Sequence, residues 1–329
     1  MILLLLALQA DPDLEALRRV GREGAGHAEA AAAWKRVVER GALLPVLAAF
    51  DGADPRAANW LRTAADALPS PDAKALEGFL GDVRRHPEAR YLAFQRLVKL
   101  DPAARVPLLA ELIDDPGREL RRESVAHAMG LQKTLNDFQT LLKSARDRDQ
   151  VDAIAKRIKE LGGKADLLAH GGFLTRWQLL APFDNKDMKG FGVAYPPEKG
   201  ERQEPKDVET QDPMGKVDLN ALLGKQKAVV AYAFAAVESP AERDVELRVA
   251  TNNAVKLFLN GELLGFRDEY HHGMKLDQYV GRARLKKGRN EVLLKICQND
   301  QKEDWAQSWS FQARLCDALG GGVPFEVLK

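Results

Sequence analysis

The fold is decided by one stretch near the end of the chain, DVELRVATNNAVKLFLNGELLGFRDEYHHGMKLDQYVGRARLKKGRNEVLLKI, which covers Asp244–Ile296. Apolar residues occupy every second position in two runs. The first run contains Val245, Leu247 and Val249, and the second contains Val255, Leu257 and Leu259. Successive side chains of a β-strand point to opposite faces of a sheet, so a period of two places one row in a core. The stretch therefore predicts β-strands that each bury one row of side chains.

Turn residues in the same stretch indicate that these strands are antiparallel. Asn260-Gly261 follows the second run at once, and a type I′ hairpin favours Asn-Gly because both central residues need positive φ. A second turn is predicted at Leu285–Asn290, and it leads into another alternating row, Val292, Leu294 and Ile296. The sequence thus predicts a hairpin at Asn260-Gly261 and a further turn at Leu285–Asn290.

Strand signals continue on both sides of this stretch. Phe173–Leu180 predicts a strand that ends at Pro182, Ala228–Val237 predicts another, and Trp309 is expected in the core row of a last one that reaches Leu315. Residues 184–215, between the first two strands, are rich in Pro, Gly, Lys and Glu and predict a long surface loop. We expect about eight to ten antiparallel strands forming a β-sandwich over residues 169–329.

The preceding part of the chain, residues 11–168, is predicted to be α-helical. Apolar residues recur there at steps of three and four, as in Leu14, Leu17 and Val20. A unit of about thirty residues repeats: a helix, a short turn, and a second helix expected to begin at Pro55, Pro87 or Pro116. Proline suits the first helical position because its missing N–H needs no partner there.

The third unit resembles a HEAT repeat. It has the apolar helix Val106–Leu112, the turn Asp115-Pro116, and the paired Arg121-Arg122 in the helix that follows. The resemblance extends over about residues 30–130. It implies an N-terminal α-solenoid of the HEAT or armadillo kind, which would leave a curved surface for a protein partner.

The second part resembles a galactose-binding-like or carbohydrate-binding β-sandwich. The resemblance is carried by four segments, Ala231–Phe234, Val255–Gly261, Leu285–Lys295 and Trp309–Leu315. It implies a jelly-roll arrangement of the strands and, as a role, docking to a glycan or to another module. The whole chain is therefore expected to be a multidomain α + β protein.

The chain begins with an apolar run, Met1–Ala10, which is typical of a short export signal. Helical repeats joined to such a sandwich behind a Leu-rich start resemble exported proteins of planctomycete-type bacteria. We expect an exported protein, periplasmic or extracellular; the alternative is a cytoplasmic protein whose first residues are a turn of helix. No later segment approaches the ~20 apolar residues of a membrane span.

Charge and cysteine content exclude two further classes. A formal net charge of +1 gives no dense basic field for nucleic acid, so the pairs Arg18-Arg19, Arg84-Arg85 and Arg121-Arg122 are expected on solvated helix faces. Cys297 and Cys316 are expected at different heights of their strands, hence as free thiols, and two cysteines alone make no metal cage.

Candidate site residues cluster in the connection that follows the predicted hairpin, around Glu269–Gly273. We expect ligand contacts from six residues, Tyr270, His271, His272, Asp277, Tyr279 and Trp305. Aromatic rings stack on the apolar side of a sugar while polar groups bind its hydroxyls. The alternative is a structural loop without a ligand, which hydrogen bonds hold at the rim of the sandwich.

Metal binding is an alternative hypothesis for the same region. Glu269, His271 and Asp277 are the candidate ligands of a transition metal such as zinc. The loop Gln298–Trp305 also offers amide and carboxylate oxygens to Ca²⁺, although its spacing matches no EF-hand. We expect no cofactor.

Known hydrolytic motifs do not occur: the sequence has no Gly-x-Ser-x-Gly elbow, His-Glu-x-x-His helix or phosphate-cradling Gly-rich loop. The leading hypothesis is a non-enzymatic binding or scaffolding protein. One alternative is a carbohydrate-active or metal-assisted enzyme with its site near His271, His272 and Asp277. The other is a purely structural two-domain protein.

Overall fold

The computed structural model describes residues 11–328 and has a mixed α + β architecture. These residues divide into two compact units, the first ending at Gly162 and the second beginning at Gly163. The predicted export signal, Met1–Ala10, lies outside the described residues.

The first unit is built of α-helices joined by short turns. Its helices are α1 (Pro12–Arg18), α2 (His27–Arg40), α3 (Leu43–Ala48), α4 (Pro55–Ala67), α5 (Ala73–Gly81), α6 (Pro87–Leu100), α7 (Arg105–Glu111), α8 (Arg118–Leu131), α9 (Leu135–Leu142) and α10 (Arg148–Glu160).

Side-chain caps and prolines fix where several of these helices begin. Asp54 accepts hydrogen bonds from two backbone N–H groups in the first turn of α4, and His86 accepts one in the first turn of α6. Pro55 and Pro87 then occupy the first helical position, as predicted. Pro116 does not, because α8 begins two residues later, after Gly117.

The apolar stripes of α1–α8 form one core, with Leu17, Phe50, Leu61, Leu76 and Leu97 fully enclosed. Helices that follow one another pack together, as α3 does with α4, α5 with α6, and α7 with α8. Helix α6 also contacts α3 and α8, so consecutive pairs share their apolar faces.

A buried ion pair joins two successive helix pairs inside this core. The guanidinium of Arg90 donates to both carboxylate oxygens of Asp115, at 2.8 and 2.6 Å, and the two side chains are only 1% and 3% exposed. Asp115 also accepts from the Gly117 N–H, and Arg121 donates to the Asp115 carbonyl. The expectation that Arg121 is solvated was therefore wrong: it is buried against the turn that replaces a helix start at Pro116.

The second unit contains strands that form two sheets. The strands are β1 (Arg176–Asp184), β2 (Lys206–Glu209), β3 (Val217–Asp218), β4 (Val229–Ser239), β5 (Arg243–Thr251), β6 (Val255–Leu259), β7 (Glu262–Arg267), β8 (Tyr279–Leu285), β9 (Gly288–Gln298), β10 (Ser310–Cys316) and β11 (Glu326–Val327). The short helices α11 (Leu167–Gly171) and α12 (Leu219–Leu223) precede β1 and β4.

Every strand pairing in the described residues is antiparallel. The larger sheet has the order β2-β1-β4-β9-β6-β7, with β11 beside the far end of β4, and the smaller sheet has the order β3-β10-β5-β8. Apolar rows from both sheets meet in one core, so the unit is a β-sandwich.

The predicted alternation is confirmed by this core. It contains both rows of the deciding stretch, the row Val292, Leu294 and Ile296, and also Trp309. The Asn-Gly turn is confirmed as well, with φ of 51° at Asn260 and 82° at Gly261 between β6 and β7. Local sequence pattern thus predicted these strands and the rows of side chains that face the core.

Two expectations for the start of this unit differ from the structure. Strand β1 does not end at Pro182 but continues to Asp184, because Pro182 lies at an irregularity between the paired residues Leu180 and Phe183 and so removes no ladder hydrogen bond. Residues 184–215 are not a surface loop throughout. They include β2, and Phe191 is buried against the outer face of the larger sheet.

A fully enclosed lysine holds this segment to the sheet. Lys295 Nζ donates to the carbonyls of Phe191 and Val193, at 3.0 and 2.6 Å, and to Glu198 Oε1 at 3.0 Å. The Tyr232 hydroxyl donates to the same carboxylate oxygen. Burial lowers the pKa of Lys295, and its three bonds satisfy all three ammonium protons.

The two cysteines are free and buried in the second unit. Burial raises the pKa of Cys297 to about 12 and that of Cys316 to about 11, so both are thiols at neutral pH. Among residues 11–328, no helix has the length and apolar character needed to cross a membrane.

Asp115→Ala is expected to lower the free energy of unfolding of the helical unit by about 3–5 kcal/mol, because it leaves the buried Arg90 charge unpaired. The measurement is urea unfolding followed by the helical circular dichroism signal. The matched control is Asp152→Ala, which removes an exposed pair with Arg148 and should cost about 0.5 kcal/mol or less. Equal losses in the two variants would contradict this account.

Candidate ligand-binding site

Three loops meet at one end of the sandwich and enclose a pocket of about 320 Å³. They are the β5–β6 loop (252–254), the β7–β8 loop (268–278) and the β9–β10 loop (299–309), and each of them passes from one sheet to the other. The pocket is lined by Asn252, Asn253, His271, His272, Gly273, Trp305, Ala306 and Ser308. We call this the loop pocket.

The floor of the loop pocket rests on a buried network of side-chain amides. Asn253 Nδ2 donates to Gln298 Oε1 at 2.8 Å and to the Ser308 carbonyl at 3.0 Å. Asn299 Nδ2 donates to the same Gln298 oxygen at 2.9 Å and to the Ala306 carbonyl at 3.1 Å. Buried amides that find partners in this way fix a single arrangement of the chain.

The β7–β8 loop is fastened to this network through its backbone. The His271 N–H donates to Asn253 Oδ1 at 3.3 Å, and the His272 N–H donates to the Asn252 carbonyl at 3.2 Å. His271 has a φ of 62°, a left-handed conformation that costs a non-glycine residue free energy. These hydrogen bonds hold the residue there, with its ring beside the pocket.

Trp305 and His271 form the aromatic part of the site. The Trp305 side chain is 64% exposed, and its ring meets the His271 ring edge to face, with centroids 5.0 Å apart. Burial, and to a lesser extent the charge of Lys227, lowers the pKa of His271. Its Nδ1 is buried without a hydrogen-bond partner among the described residues.

His272 is held through both ring nitrogens. Gln278 Nε2 donates to His272 Nδ1 at 2.9 Å, and His272 Nε2 lies 3.2 Å from the Tyr279 hydroxyl. Because an amide nitrogen can only donate, Nδ1 must be the acceptor, and the ring proton must reside on Nε2. These contacts are satisfied by the tautomer that carries its proton on Nε2.

Two of the predicted aromatic residues, Tyr270 and Tyr279, lie outside the lining of the loop pocket. Tyr270 packs on the outer face of the larger sheet, where Asn185 Nδ2 donates to its hydroxyl at 3.3 Å and burial raises its pKa. The Tyr279 hydroxyl reaches His272, and burial followed by the charge of Glu269 raises its pKa. Neither residue lines the loop pocket.

Asp277 lies in a different arrangement, on the outer face of the smaller sheet. Its carboxylate accepts from Arg314 Nε at 2.7 Å and from Arg248 Nη1 at 2.8 Å. Burial alone would raise its pKa, but these two guanidinium groups hold that pKa below the ordinary value. The structure thus brings His271, His272 and Trp305 together and assigns Asp277 to an ion-pair network.

The candidate metal ligands do not converge. Within residues 11–328, no group of three or more His, Cys, Asp or Glu side chains is arranged to hold a metal ion, so Glu269, His271 and Asp277 form no such set. In the Gln298–Trp305 loop, Asn299 Oδ1 already accepts from Lys227 Nζ and from the Gln301 N–H. The amide oxygens considered for Ca²⁺ serve the loop itself.

Sequence reasoning missed Asn252, Asn253, Ala306 and Ser308, which also line the pocket. A local signal was present, since Asn252-Asn253 directly follows the predicted strand that ends at Thr251. That signal predicts only a turn. The role of Asn253 becomes visible when its partner Gln298 is brought near, from 45 residues away.

A larger cavity, about 530 Å³, lies where β1 diverges from β4 on the larger sheet. Its polar side chains are paired with carboxylates: Arg176 with Glu209, Gln178 with Asp207, and Arg289 with Glu291. The loop pocket instead offers an exposed indole beside amide and hydroxyl groups. We therefore take the smaller cavity as the candidate site.

Comparisons with known proteins find low similarity only. No protein-family model matches the chain, and no curated protein matches it. Among solved structures, a β-glucosidase from Kluyveromyces marxianus in complex with glucose is 13% identical with a TM-score of 0.29, over 44% of this chain and 16% of that one.

Two further structures are similar at the same level. A family 35 carbohydrate binding module from an environmental isolate is 13% identical with a TM-score of 0.21, over 28% of this chain and 70% of that one. An uncultured Clostridium sp. β-glucuronidase is 9% identical with a TM-score of 0.27, over 43% and 28%. Likenesses this low assign no ligand and no activity to this chain.

Proposed function

We propose that the β-sandwich unit is a non-enzymatic binding module that takes a neutral glycan in the loop pocket. The observation that carries the proposal is the Trp305 indole, 64% exposed at the rim of a polar pocket whose walls are already fixed by hydrogen bonds. An exposed indole at a pocket rim presents a flat apolar face on which a ligand can stack.

The lining suits the two kinds of surface that a sugar ring presents. The indole face would stack against the apolar C–H side of the ring. The amide of Asn252 and the hydroxyl of Ser308 lie in the same pocket and would bind hydroxyl groups. The fixed walls would reduce the entropy lost on binding.

The absence of charge in the lining selects the class of sugar. Among the residues that line the pocket in the described structure there is no Arg, Lys, Asp or Glu. An acidic sugar would leave its carboxylate without a cation partner in the pocket, which is unfavourable. We therefore expect neutral sugars to bind more tightly than uronic acids.

The enzyme alternative is less well supported by the geometry. It requires Asp277 to act with His271 and His272, whereas the Asp277 carboxylate is engaged by Arg248 and Arg314. His272 is engaged by Gln278 and Tyr279. These contacts favour binding over a proton-transfer role for the cluster.

For the helical unit we infer a HEAT-like array that contacts a protein partner, in an exported protein whose sandwich is of the galactose-binding-like, jelly-roll kind. The support is that aspartates in the turns of three helix pairs each bind an arginine of a neighbouring pair. Asp51 binds Arg85 of the following pair, whereas Asp115 and Asp147 bind Arg90 and Arg118 of the preceding pairs. These contacts would hold each pair against its neighbour in the chain.

An experimental structure of the full chain would test the array. We expect α3–α4, α5–α6 and α7–α8 to be related by nearly the same rotation and translation from one pair to the next. Pairs related by dissimilar transformations would contradict a solenoid.

Trp305→Ala is expected to weaken glycan binding about tenfold or more, because it removes the stacking surface. The measurement is isothermal titration calorimetry with the strongest binder from a panel of neutral and uronic acid oligosaccharides. Phe266→Ala is the matched control, since it removes another exposed aromatic ring of the same unit, 54% exposed, outside the pocket. A panel in which no neutral sugar binds, or equal losses in both variants, would contradict the proposal.

A further inference from the structure

Both ring nitrogens of His272 face neighbouring groups whose hydrogen bonds fit the neutral imidazole. Gln278 fixes this choice because its own orientation is fixed: its Oε1 accepts the Thr251 N–H at 3.3 Å, which turns its Nε2 toward His272 Nδ1 at 2.9 Å. The second Nε2 proton faces the Gly273 carbonyl and the Tyr279 hydroxyl.

Protonation of His272 has no arrangement that satisfies this set. With a proton on Nδ1, two donors would face each other across 2.9 Å. Rotating the Gln278 amide would present Oε1 to the imidazolium, but its NH₂ group would then meet the Thr251 N–H. One donor loses its acceptor in either case, and an unpaired donor in a partly buried site is costly.

His272 also forms part of the pocket wall, so this conflict reaches the ligand. Its N–H donates to the Asn252 carbonyl at 3.2 Å, and Asn252 Nδ2 donates back to the His272 carbonyl at 3.4 Å. Both residues line the loop pocket. Displacing the His272 ring from Gln278 therefore strains the two hydrogen bonds that join the His272 backbone to Asn252 in the β5–β6 loop.

We propose that Gln278 makes the loop pocket acid-sensitive: protonation of His272 loosens the β7–β8 loop and releases the glycan. Binding would then be tighter at pH 7.5 than at pH 5.0. The release of ligand rests on the proposed glycan site, whereas the loosening of the loop does not.

Other charged and titratable groups face this part of the loop. From β7, the Arg267 guanidinium lies 5.9 Å from the Tyr279 ring, and Glu269 acts on the same tyrosine. Around the neighbouring His271 are Lys227, Asp300 and Glu303. His271 has a lowered pKa, so the folded state binds fewer protons than the unfolded one as pH falls, and it adds acid sensitivity of the same sign.

Three isosteric variants separate these contributions. Gln278→Glu keeps an oxygen for the Thr251 N–H and offers a second one to His272, whichever protonation state the ring has. His272→Asn keeps an acceptor near the position of Nδ1 but does not titrate. His271→Asn is the matched control, which removes the neighbouring imidazole and leaves the Gln278–His272 contact in place.

Two readouts are taken on the full chain at pH 7.5 and 5.0. One is the calorimetric affinity for the neutral oligosaccharide that binds most tightly in the panel at pH 7.5. The other is backbone hydrogen exchange over residues 268–278, expressed relative to the intrinsic rate at each pH, with circular dichroism to verify that the fold persists.

For the native chain we expect about tenfold weaker binding at pH 5.0 and a similar loss of exchange protection at the His272 amide. His271→Asn, compared with its own values at pH 7.5, should keep most of both responses. For His272→Asn the change should stay within about twofold, and Gln278→Glu should bind equally or more tightly in acid. Equal acid responses in all four proteins, no response in the native chain, or a response abolished by His271→Asn would overturn the proposal. If no glycan binds at either pH, the proposed function fails and the exchange measurement alone decides on the switch.

Discussion

The second unit depends on how the open end of its sandwich is closed. Three consecutive crossings between the sheets, after β5, β7 and β9, converge there, and their polar backbone groups cannot all reach water. The Asn253 side chain reaches all three loops: it is part of the first, accepts from His271 of the second, and donates to Ser308 of the third. A single buried amide, satisfied by well-placed partners, thereby sets the shape of the pocket.

Buried polar side chains are satisfied by well-placed partners at two other points of the structure. Arg90 and Asp115 form a closed ion pair inside the helical core, and Lys295 satisfies its three protons beneath the segment that covers the larger sheet. Each of these groups would be strongly destabilising alone, and each connects chain segments that hydrophobic packing would leave free to slide. In both units, rows of apolar side chains determine which elements pack together. Buried polar contacts then determine where the connecting segments lie against those elements.

The sequence predicts the features that depend on apolar rows and local turns, and it does not predict the buried polar contacts. The rows Val245, Leu247 and Val249, the core position of Trp309 and the Asn260-Gly261 turn depend on neighbours within a few residues, and they are confirmed. Asn253 and Lys295 could not be assigned, because their partners Gln298 and Glu198 lie 45 and 97 residues away. Spacing placed Asp277 with the histidines, but Arg248 and Arg314, from two other strands, hold it elsewhere. His271 and Trp305 do meet, which composition suggested and only the closing of the loops could establish.

The most direct test of a pre-formed glycan pocket is a pair of crystal structures of the full chain, one free and one with a neutral oligosaccharide. The account predicts a sugar ring stacked on Trp305, the Asn253–Gln298 contact unchanged, and loop backbones that differ by less than about 1 Å between the two structures. A sugar seated in the cavity between β1 and β4 instead, or loops that rearrange by several ångströms to receive it, would contradict the account.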